Sequence, residues 1–392
     1  MTLSRRNFLI NSTVLGCSAA ASPLLTPVTL AAAPGDNRLV VIILRGAMDG
    51  LDVVQPYGDP DLASYRPTLG VGEAAGAIDL DGFFALNPAL EALMPLWRAK
   101  ELGFVQAVST PYRDKRSHFD GQDLLETGSD ARNGASQAGK TGWLNRSLAL
   151  LPGAQAETAF SVGQSRMLLL DGDMPFSAWS PGSNLEMSPQ TEALLARIYE
   201  DDPLFATSAQ MALELSGKTE DMQSGARVGE AKTLAAFAAA RLNEETRIAS
   251  FSIGGWDTHN GQKRNLARAL TQLSEAILAL RSGLGSNWQR TTVLAVTEFG
   301  RTVAENGTGG TDHGTGGAMV MAGGTINGGR VFGQWPGLGE FDLYQNRDLE
   351  PTDDVRRYLG WALHDLFGMD ASAIGTTVFP GLNLGQNVGI TA

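Results

Sequence analysis

Cysteine is almost absent from this sequence. Its 392 residues include one cysteine, Cys17, which lies in an amino-terminal segment that we expect to be removed from the mature chain. A chain without that segment has no thiol, so it forms no disulfide and offers no thiolate to a metal ion or a substrate. A dinucleotide-binding fingerprint is also missing, which argues against a redox enzyme.

Clusters of basic residues are missing as well. The formal net charge is −12, with 30 lysines and arginines against 42 aspartates and glutamates. No stretch provides the basic face that a nucleic-acid backbone requires, so we expect no nucleic acid as a partner. An acidic protein still binds a small anion where metal ions or a few arginines make the local potential positive.

Long uninterrupted apolar runs are the third absence. A membrane-spanning helix needs roughly 20 consecutive apolar residues. The amino-terminal segment comes nearest to that length, but it is interrupted by Asn11, Ser12, Ser18 and Pro23. We therefore expect no stable membrane span, and a membrane anchor at the amino terminus is the weaker alternative.

The same segment has the features of an export signal. It starts with Ser-Arg-Arg-Asn-Phe-Leu at 4–9 and ends with Leu-Ala-Ala-Ala-Pro at 30–34, as in a twin-arginine signal peptide cleaved near Ala33. We expect residues 1–33 to be this signal peptide, the twin-arginine export machinery to be a partner, and the mature protein to be periplasmic or secreted. Lipidation of Cys17 is a secondary alternative, because Val-Leu-Gly-Cys is a poor lipoprotein signal.

Apolar and small residues are abundant. Hydrophobic residues make up 43% of the chain, and 47 residues are glycine, which favours a packed core connected by many tight turns. Apolar β-rich runs and amphipathic stretches predict one three-layer α/β sandwich over 34–392, with a mostly parallel central sheet. The predicted strands are 39–44, 102–108, 159–162, 167–170, 247–253, 291–296 and 318–322, and the predicted helices are 88–100, 117–128, 140–151, 189–200, 204–217, 231–247, 265–284 and 352–367.

Polar residues that bind metal ions are concentrated where the predicted strands end, the edge at which open α/β sheets bind ligands. Asp257 and His259 are two residues apart, so their side chains point the same way from an extended backbone. The chain has only four histidines, and His259 and His313 are two of them. The candidate ligands are Asp49, Asp257, His259, Glu298, Asp312 and His313.

Carboxylate and imidazole ligands suit a divalent ion such as zinc, manganese, magnesium or calcium. Six candidates exceed what one tetrahedral site needs, so a two-metal centre is our hypothesis. Such a centre binds a small anionic ester. The candidates to hold the anionic group bidentately are Arg301, Arg116 and Arg45.

Three residues have competing interpretations. Asp49 precedes a glycine and also fits a turn. Ser117, three residues before Asp120, fits a helix cap, and it also fits a nucleophile at the positive end of a helix. His364 lies between leucines on a predicted helix, without a ligand spaced to share an ion, and we interpret it as structural.

Several motifs together resemble the exported DUF1501 family and, more distantly, the alkaline phosphatase and sulfatase superfamily. They are Arg-Gly-Ala-Met-Asp-Gly-Leu at 45–51, Arg-Ser-His-Phe-Asp-Gly-Gln at 116–122, Gly-Gly-Trp-Asp-Thr-His at 254–259, Thr-Glu-Phe-Gly-Arg-Thr at 297–302 and Asp-His-Gly at 312–314. The family resemblance implies an alkaline-phosphatase-like fold and a position for chemistry.

The superfamily resemblance implies roles for individual residues. Asp49 is similar to the metal-binding aspartate of the first strand, Asp257 and His259 to a pair on one ion, and His313 to the late histidine ligand. Ser117 occupies the nucleophile's place, although an ungapped match puts His118 there instead. Glu298 stands with Phe299 where the superfamily has an Asp-His pair, which removes one nitrogen ligand.

We therefore expect a metal-dependent hydrolase of phosphate or sulfate esters, with Ser117 or His118 as nucleophile and Arg301 holding the anion. The alternative is an exported metal- or ligand-binding protein without catalysis, in which Glu298 marks a degenerate site.

Overall fold

The computed structural model describes residues 36–113, 115–130, 141–163, 167–180 and 230–392. The predicted signal peptide and the predicted helices 189–200 and 204–217 lie outside these ranges. Within them, no helix combines the length and the apolar character needed to cross a membrane.

The described residues form strands, α-helices and short helical turns. The strands are β1 (Arg38–Leu44), β2 (Val54–Gln55), β3 (Ile78–Asp79), β4 (Ala85–Leu86), β5 (Leu102–Ser109), β6 (Ala159–Val162), β7 (Ser177–Trp179), β8 (Ile248–Ile253), β9 (Thr291–Val296), β10 (Gly317–Ala322), β11 (Val331–Phe332), β12 (Leu343–Tyr344), β13 (Asp348–Leu349) and β14 (Asp353–Asp354). The α-helices are α1 (Gly50–Val53), α2 (Leu62–Tyr65), α3 (Met94–Arg98), α4 (His118–Thr127), α5 (Trp143–Leu148), α6 (Glu230–Leu242), α7 (Gln262–Leu284), α8 (Val355–Phe367) and α9 (Ala371–Ala373). Turns of 3-10 helix occupy Glu73–Ala75, Pro88–Leu93, Ala156–Thr158, Leu168–Leu170 and Gly285–Arg290, and a π-helical turn occupies Ile374–Val378.

A nine-stranded sheet forms the centre of the molecule. Its strand order is β11-β5-β10-β9-β1-β8-β6-β7, and β14 also pairs with β5. β10 is antiparallel to both of its neighbours, whereas the other pairs in this sheet are parallel. The predicted α/β class with a mostly parallel sheet is therefore confirmed.

The sheet is buried on both faces, as the continuous apolar sequence of β1 predicts. Alternate side chains of β1 belong to two different hydrophobic clusters, Val40, Ile42 and Leu44 to one and Leu39, Val41 and Ile43 to the other. Side chains of α6 and α7 complete the first cluster, and side chains of α5 and α8 complete the second. Helices therefore cover both faces, which gives the three layers of the predicted sandwich.

One predicted helix is divided, and one predicted strand is wrong. The predicted helix 88–100 is a 3-10 turn followed by the short helix α3, because Pro95 lacks the N–H that a continuous α-helix would use there. The predicted strand 167–170 is a 3-10 turn, in which the amide of Asp171 donates to the carbonyl of Leu168. The remaining predicted elements in the described ranges are present, with ends shifted by a few residues.

Strand direction brings distant parts of the chain to one edge of the sheet. β1, β8 and β9 are parallel, so their carboxyl ends lie side by side. β10 runs the opposite way to both β9 and β5, so β5 ends at this edge and β10 begins there. The segments that follow β1, β5, β8 and β9, and the segment that precedes β10, therefore meet at what we call the carboxyl edge.

Close backbone packing at this edge predicts a strong effect of one glycine substitution. A Cβ atom at Gly300 would overlap the carbonyl oxygen of Gly316, whereas a Cβ at Gly307 would meet nothing within 4 Å. Gly300→Ala should lower the free energy of unfolding by about 3 kcal/mol, the scale of a buried overlap that forces backbone to shift. Gly307→Ala is the matched control and should unfold like wild type in denaturant titrations. Equal stability of the two variants would contradict the packing described here.

Candidate metal centre

Three imidazole rings meet at the carboxyl edge, one from each of three segments. His118 is the first residue of α4, which begins after the segment that follows β5. His259 follows β8, and His313 precedes β10. An isolated antiparallel bridge between Arg301 and His313 ties the segment after β9 to the segment before β10.

Each of the three rings is held by its Nδ1 atom. His118 Nδ1 lies 2.8 Å from Glu298 Oε1, and His259 Nδ1 lies 3.0 Å from Asp312 Oδ1. His313 Nδ1 lies 2.8 Å from the carbonyl oxygen of Arg116. Because all three partners are acceptors, each Nδ1 carries the proton, and in the neutral ring the lone pair is on Nε2.

The three Nε2 atoms converge on one carboxylate oxygen. Asp257 Oδ1 lies 3.4 Å from His118 Nε2, 3.1 Å from His259 Nε2 and 3.2 Å from His313 Nε2. We call His118, His259, His313 and Asp257 the histidine cluster. His118, Asp257 and His313 each offer a ligand atom, and these atoms lie within 4.8 Å of one another.

This arrangement of donors and lone pairs suits a bound cation. His259 Nε2 and His313 Nε2 are only 3.0 Å apart, so two lone pairs would face each other there. His118 Nε2 is buried and has no hydrogen-bond partner among the described residues. Metal-binding histidines almost always donate their other ring N–H to a carboxylate or a carbonyl, as all three rings do here. The residues present therefore fit a divalent ion.

Arg301 forms a salt bridge with Asp257. Its Nη2 donates to Asp257 Oδ1 at 2.6 Å, and its side chain is fully buried while that of Asp257 is 49% exposed. Burial alone would raise the pKa of Asp257, but the hydrogen bond and the charge of Arg301 lower this pKa to about 2. The carboxylate is therefore ionised throughout the neutral range.

The same guanidinium binds the backbone of the neighbouring segments. Arg301 donates to the carbonyl oxygens of Gly46, Ala47, Trp256 and Thr311 at 2.6, 2.7, 3.1 and 3.0 Å. These acceptors belong to the segments after β1 and β8 and before β10. The side chain predicted to hold a substrate anion thus has each of its three nitrogens bonded to protein acceptors.

Glu298 lies behind His118 in a fully buried position. Besides His118, its Oε1 accepts from the amide of Gly46 at 2.9 Å and from Gln122 Nε2 at 3.2 Å. Burial would raise the pKa of Glu298, but the hydrogen bond from His118 and these further donors hold the pKa below its ordinary value. An ionised Glu298 in turn raises the pKa of His118, mainly through their hydrogen bond.

His313 has the opposite shift. Burial lowers the pKa of His313 below the ordinary histidine value, so its ring is neutral and its Nε2 lone pair is available at neutral pH. Asp312, which holds His259, accepts a further hydrogen bond from Asn306 Nδ2 at 3.0 Å, and that bond is the main reason why the pKa of Asp312 is lowered.

Asp49 and Ser117 lie outside the histidine cluster. Asp49 is buried and accepts two hydrogen bonds from the guanidinium of Arg66, at 2.9 and 3.1 Å. Ser117 caps α4, with its hydroxyl 3.5 Å from the amide of Asp120. His118, the next residue, is the one that reaches the cluster. The predicted roles of Asp49 as a ligand and Ser117 as a nucleophile stay predictions.

Sequence reasoning missed three residues that matter here. Arg66 lies in no motif, and Gln122 ends the 116–122 motif without a sign of its contact with Glu298. Gln262 could have been found, because it begins α7 four residues after Thr258 and its amide reaches back to that side chain at 3.0 Å.

A family model described as "Protein of unknown function (DUF1501)" matches residues 103–375. The match covers more than half of the chain, so the chain belongs to this family, as its motifs predict. A search of curated proteins found no match.

Solved structures from the superfamily that the sequence resembles are among those similar to this chain. A protein in the alkaline phosphatase superfamily from Vibrio parahaemolyticus is 12% identical, with a TM-score of 0.37 over 76% of this chain and 62% of that one. The sulfatase PsFucS1 from Pseudoalteromonas sp. is 12% identical, with a TM-score of 0.40 over 100% of this chain and 78% of that one. The periplasmic domain of EcEptC from Escherichia coli, in complex with Zn, is 9% identical, with a TM-score of 0.39 over 92% of this chain and 93% of that one. The chain therefore spans less than two thirds of the length of the Vibrio protein.

The Glu298–His118 pair predicts a pH-dependent contribution to stability in the metal-free protein. Because the pKa of His118 is raised above 6.5, the pair's stabilisation is fully present below that value and is lost as the pH rises through the raised pKa. Glu298→Gln should therefore cost most stability between the ordinary pKa of glutamate, 4.5, and that of histidine, and less at higher pH.

Chemical denaturation at several pH values, with chelator present, measures this effect. The exposed Glu91→Gln is the matched control, and its effect on the free energy of unfolding should be small at every pH. A Glu298→Gln effect that stays constant from acidic to alkaline pH would show that the pair is not ionised as described.

Proposed function

We propose that this member of the DUF1501 family is an exported metal-dependent hydrolase of phosphate or sulfate esters, and that its ion is held by the histidine cluster. The observation that carries the proposal is the shared orientation of the three rings. Each Nδ1 donates to an acceptor, at 2.8 Å for His118, 3.0 Å for His259 and 2.8 Å for His313. All three Nε2 atoms then face one point beside Asp257.

The ligand types narrow the choice of ion. Three imidazole nitrogens and one carboxylate suit zinc or manganese better than magnesium or calcium, which prefer oxygen ligands. A divalent ion bound there would supply positive charge to the oxygens of a small anionic ester, where negative charge develops during hydrolysis. Glu298 and Asp312 act as the carboxylates that orient His118 and His259.

Residues of the chain supply the remaining parts of the site. Arg301 holds Asp257 in place, so we assign substrate binding to Arg116, whose side chain is 32% exposed and is fixed by the fully buried Asp348 at 3.3 Å. Ser117 is the proposed nucleophile, because it precedes His118 at the amino terminus of α4 and its capping bond is long at 3.5 Å. Export through the twin-arginine pathway belongs to the same proposal.

A second candidate function is metal binding without catalysis. The donor set favours it, since three histidines and one aspartate already satisfy a closed tetrahedral site. The full engagement of Arg301 with protein acceptors also favours it, because this buried cation does not face a substrate. The exposure of Asp257 and the partial exposure of Arg116 favour the hydrolase.

Variants of the mature protein separate metal binding from catalysis. His313→Ala should lose the ion and all turnover, because it removes one of the converging nitrogens. Ser117→Ala should keep the ion and lose turnover by about 10³-fold or more, the scale for removal of a nucleophile. His364→Ala is the matched control and should keep both the ion and turnover. His364 lies on α8, where its Nδ1 lies 2.7 Å from the carbonyl oxygen of Met369.

Elemental analysis measures the bound ion, and a panel of aryl phosphate and sulfate esters measures turnover. An ion retained by His313→Ala would remove the metal centre from the proposal. Full activity in Ser117→Ala would remove the serine as nucleophile, and a bound ion without hydrolysis of any ester would favour the second candidate.

A further inference from the structure

A buried polar network lies beside the histidine cluster. Its charged members are Asp49, Asp52 and Arg66, and all three are almost completely buried, as are the Gln262 and Thr311 side chains that join them. Two carboxylates and one guanidinium thus share a site without solvent. The network includes Asp49, one of the six residues that the sequence predicts as metal ligands.

The acceptor positions of Asp49 are filled by the protein itself. Oδ2 accepts from Arg66 Nη1 at 2.9 Å and from Gln262 Nε2 at 2.6 Å, and Thr311 Oγ1 lies 3.2 Å away. Oδ1 accepts from Arg66 Nη2 at 3.1 Å and from the amide of Leu51 at 3.1 Å. An ionised carboxylate has about four lone-pair positions, so these four donors leave none for an ion.

Arg66 is held in this place by more than its ion pair. Its Nε donates to the carbonyl oxygen of Val303 at 2.9 Å, and its Nη2 donates to that of Thr302 at 3.0 Å. An ion that displaced Arg66 from Asp49 would leave a guanidinium buried without its counter-charge, which is strongly unfavourable.

We infer that the centre holds one divalent ion, and that the guanidinium of Arg66 supplies to Asp49 the positive charge that a second ion would otherwise bring. The inference rests on the proposed metal centre. It replaces the two-metal hypothesis that six candidate ligands suggest. Asp49 is then a positioning residue, and the ion is bound by the histidine cluster alone.

Gln262 connects the network to the two segments that carry Asp257, His259 and His313. Its Oε1 accepts from Thr258 Oγ1 at 3.0 Å and from Thr311 Oγ1 at 2.8 Å. Thr258 lies between Asp257 and His259, and Thr311 is two residues before His313. The carboxamide therefore sets the spacing of the two segments that carry these ligands, while Asp49 and Asp52 fix its Nε2 at 2.6 and 2.9 Å.

The stoichiometry of metal binding tests the inference. Wild-type protein, stripped with chelator and dialysed against zinc or manganese, should contain one ion per chain by elemental analysis and by calorimetry. Asp49→Asn and the charge-neutral pair Asp49→Asn with Arg66→Met should still bind one ion, with an affinity weakened by about 10-fold, as for loss of a supporting contact. His313→Ala is the matched ligand variant and should bind none at the same concentration.

The outcomes are distinguishable. Two ions per wild-type chain would overturn the inference and leave the hydrolase proposal standing, whereas no ion would overturn both. Loss of the ion from a folded Asp49→Asn variant, as complete as in His313→Ala, would show that Asp49 is a ligand. If both Asp49 variants fail to fold, the wild-type stoichiometry alone decides.

Discussion

The candidate centre depends on the hydrogen bonds of one buried group, the guanidinium of Arg301. Arg301 follows β9, and it donates to carbonyl oxygens in the segments after β1 and β8 and before β10. One side chain thus fixes four segments of the carboxyl edge relative to one another. A planar group with five donors suits this task, because each bond has a defined direction. Its charge is balanced by Asp257, which it holds beside the three imidazoles.

Electrostatics within the centre follow from this arrangement. The charge of Arg301 keeps Asp257 ionised, and the buried Glu298 keeps a proton on the Nδ1 of His118. Burial keeps His313 neutral. In each ring, Nδ1 therefore donates to a protein acceptor, and Nε2 points toward Asp257. A centre preorganised in this way would bind a cation without rearranging its ligands, which lowers the free-energy cost of binding.

The network around Asp49 supports the centre from a second side. Arg66 offsets the charge of Asp49, burial raises the pKa of Asp52, and neutral groups, Gln262 and the two threonines, link the network to the segments that carry the ligands. The support therefore adds rigidity without adding a charge to the cluster. Asp49, after β1, therefore has a structural role, whereas Asp257, after β8, faces the three imidazoles.

Much of the fold follows from local sequence. The β-branched run of β1 predicts a strand buried on both faces, and Ser117 with Gly128 predicts the start and the end of α4. The spacing of Asp257 and His259 predicts that their side chains point the same way, and His259 Nε2 lies 3.1 Å from Asp257 Oδ1. Local signals conflict in two places. Pro95 divides the predicted helix 88–100 into a 3-10 turn and a short α-helix, and the predicted strand 167–170 is wrong because the amide of Leu169 donates to the buried Glu126 instead of a strand partner.

The sequence by itself determined the α/β class, the strand ends that carry the candidate ligands and the residue types available to an ion. Only the tertiary structure decided which of those residues face the cluster. Glu298 and Asp312 bind Nδ1 atoms, Asp49 binds Arg66, and His118 reaches the cluster next to the serine that the motif favours. The physical reason is that a carboxylate's role depends on its nearest donor, and these donors come from residues that are far apart in sequence.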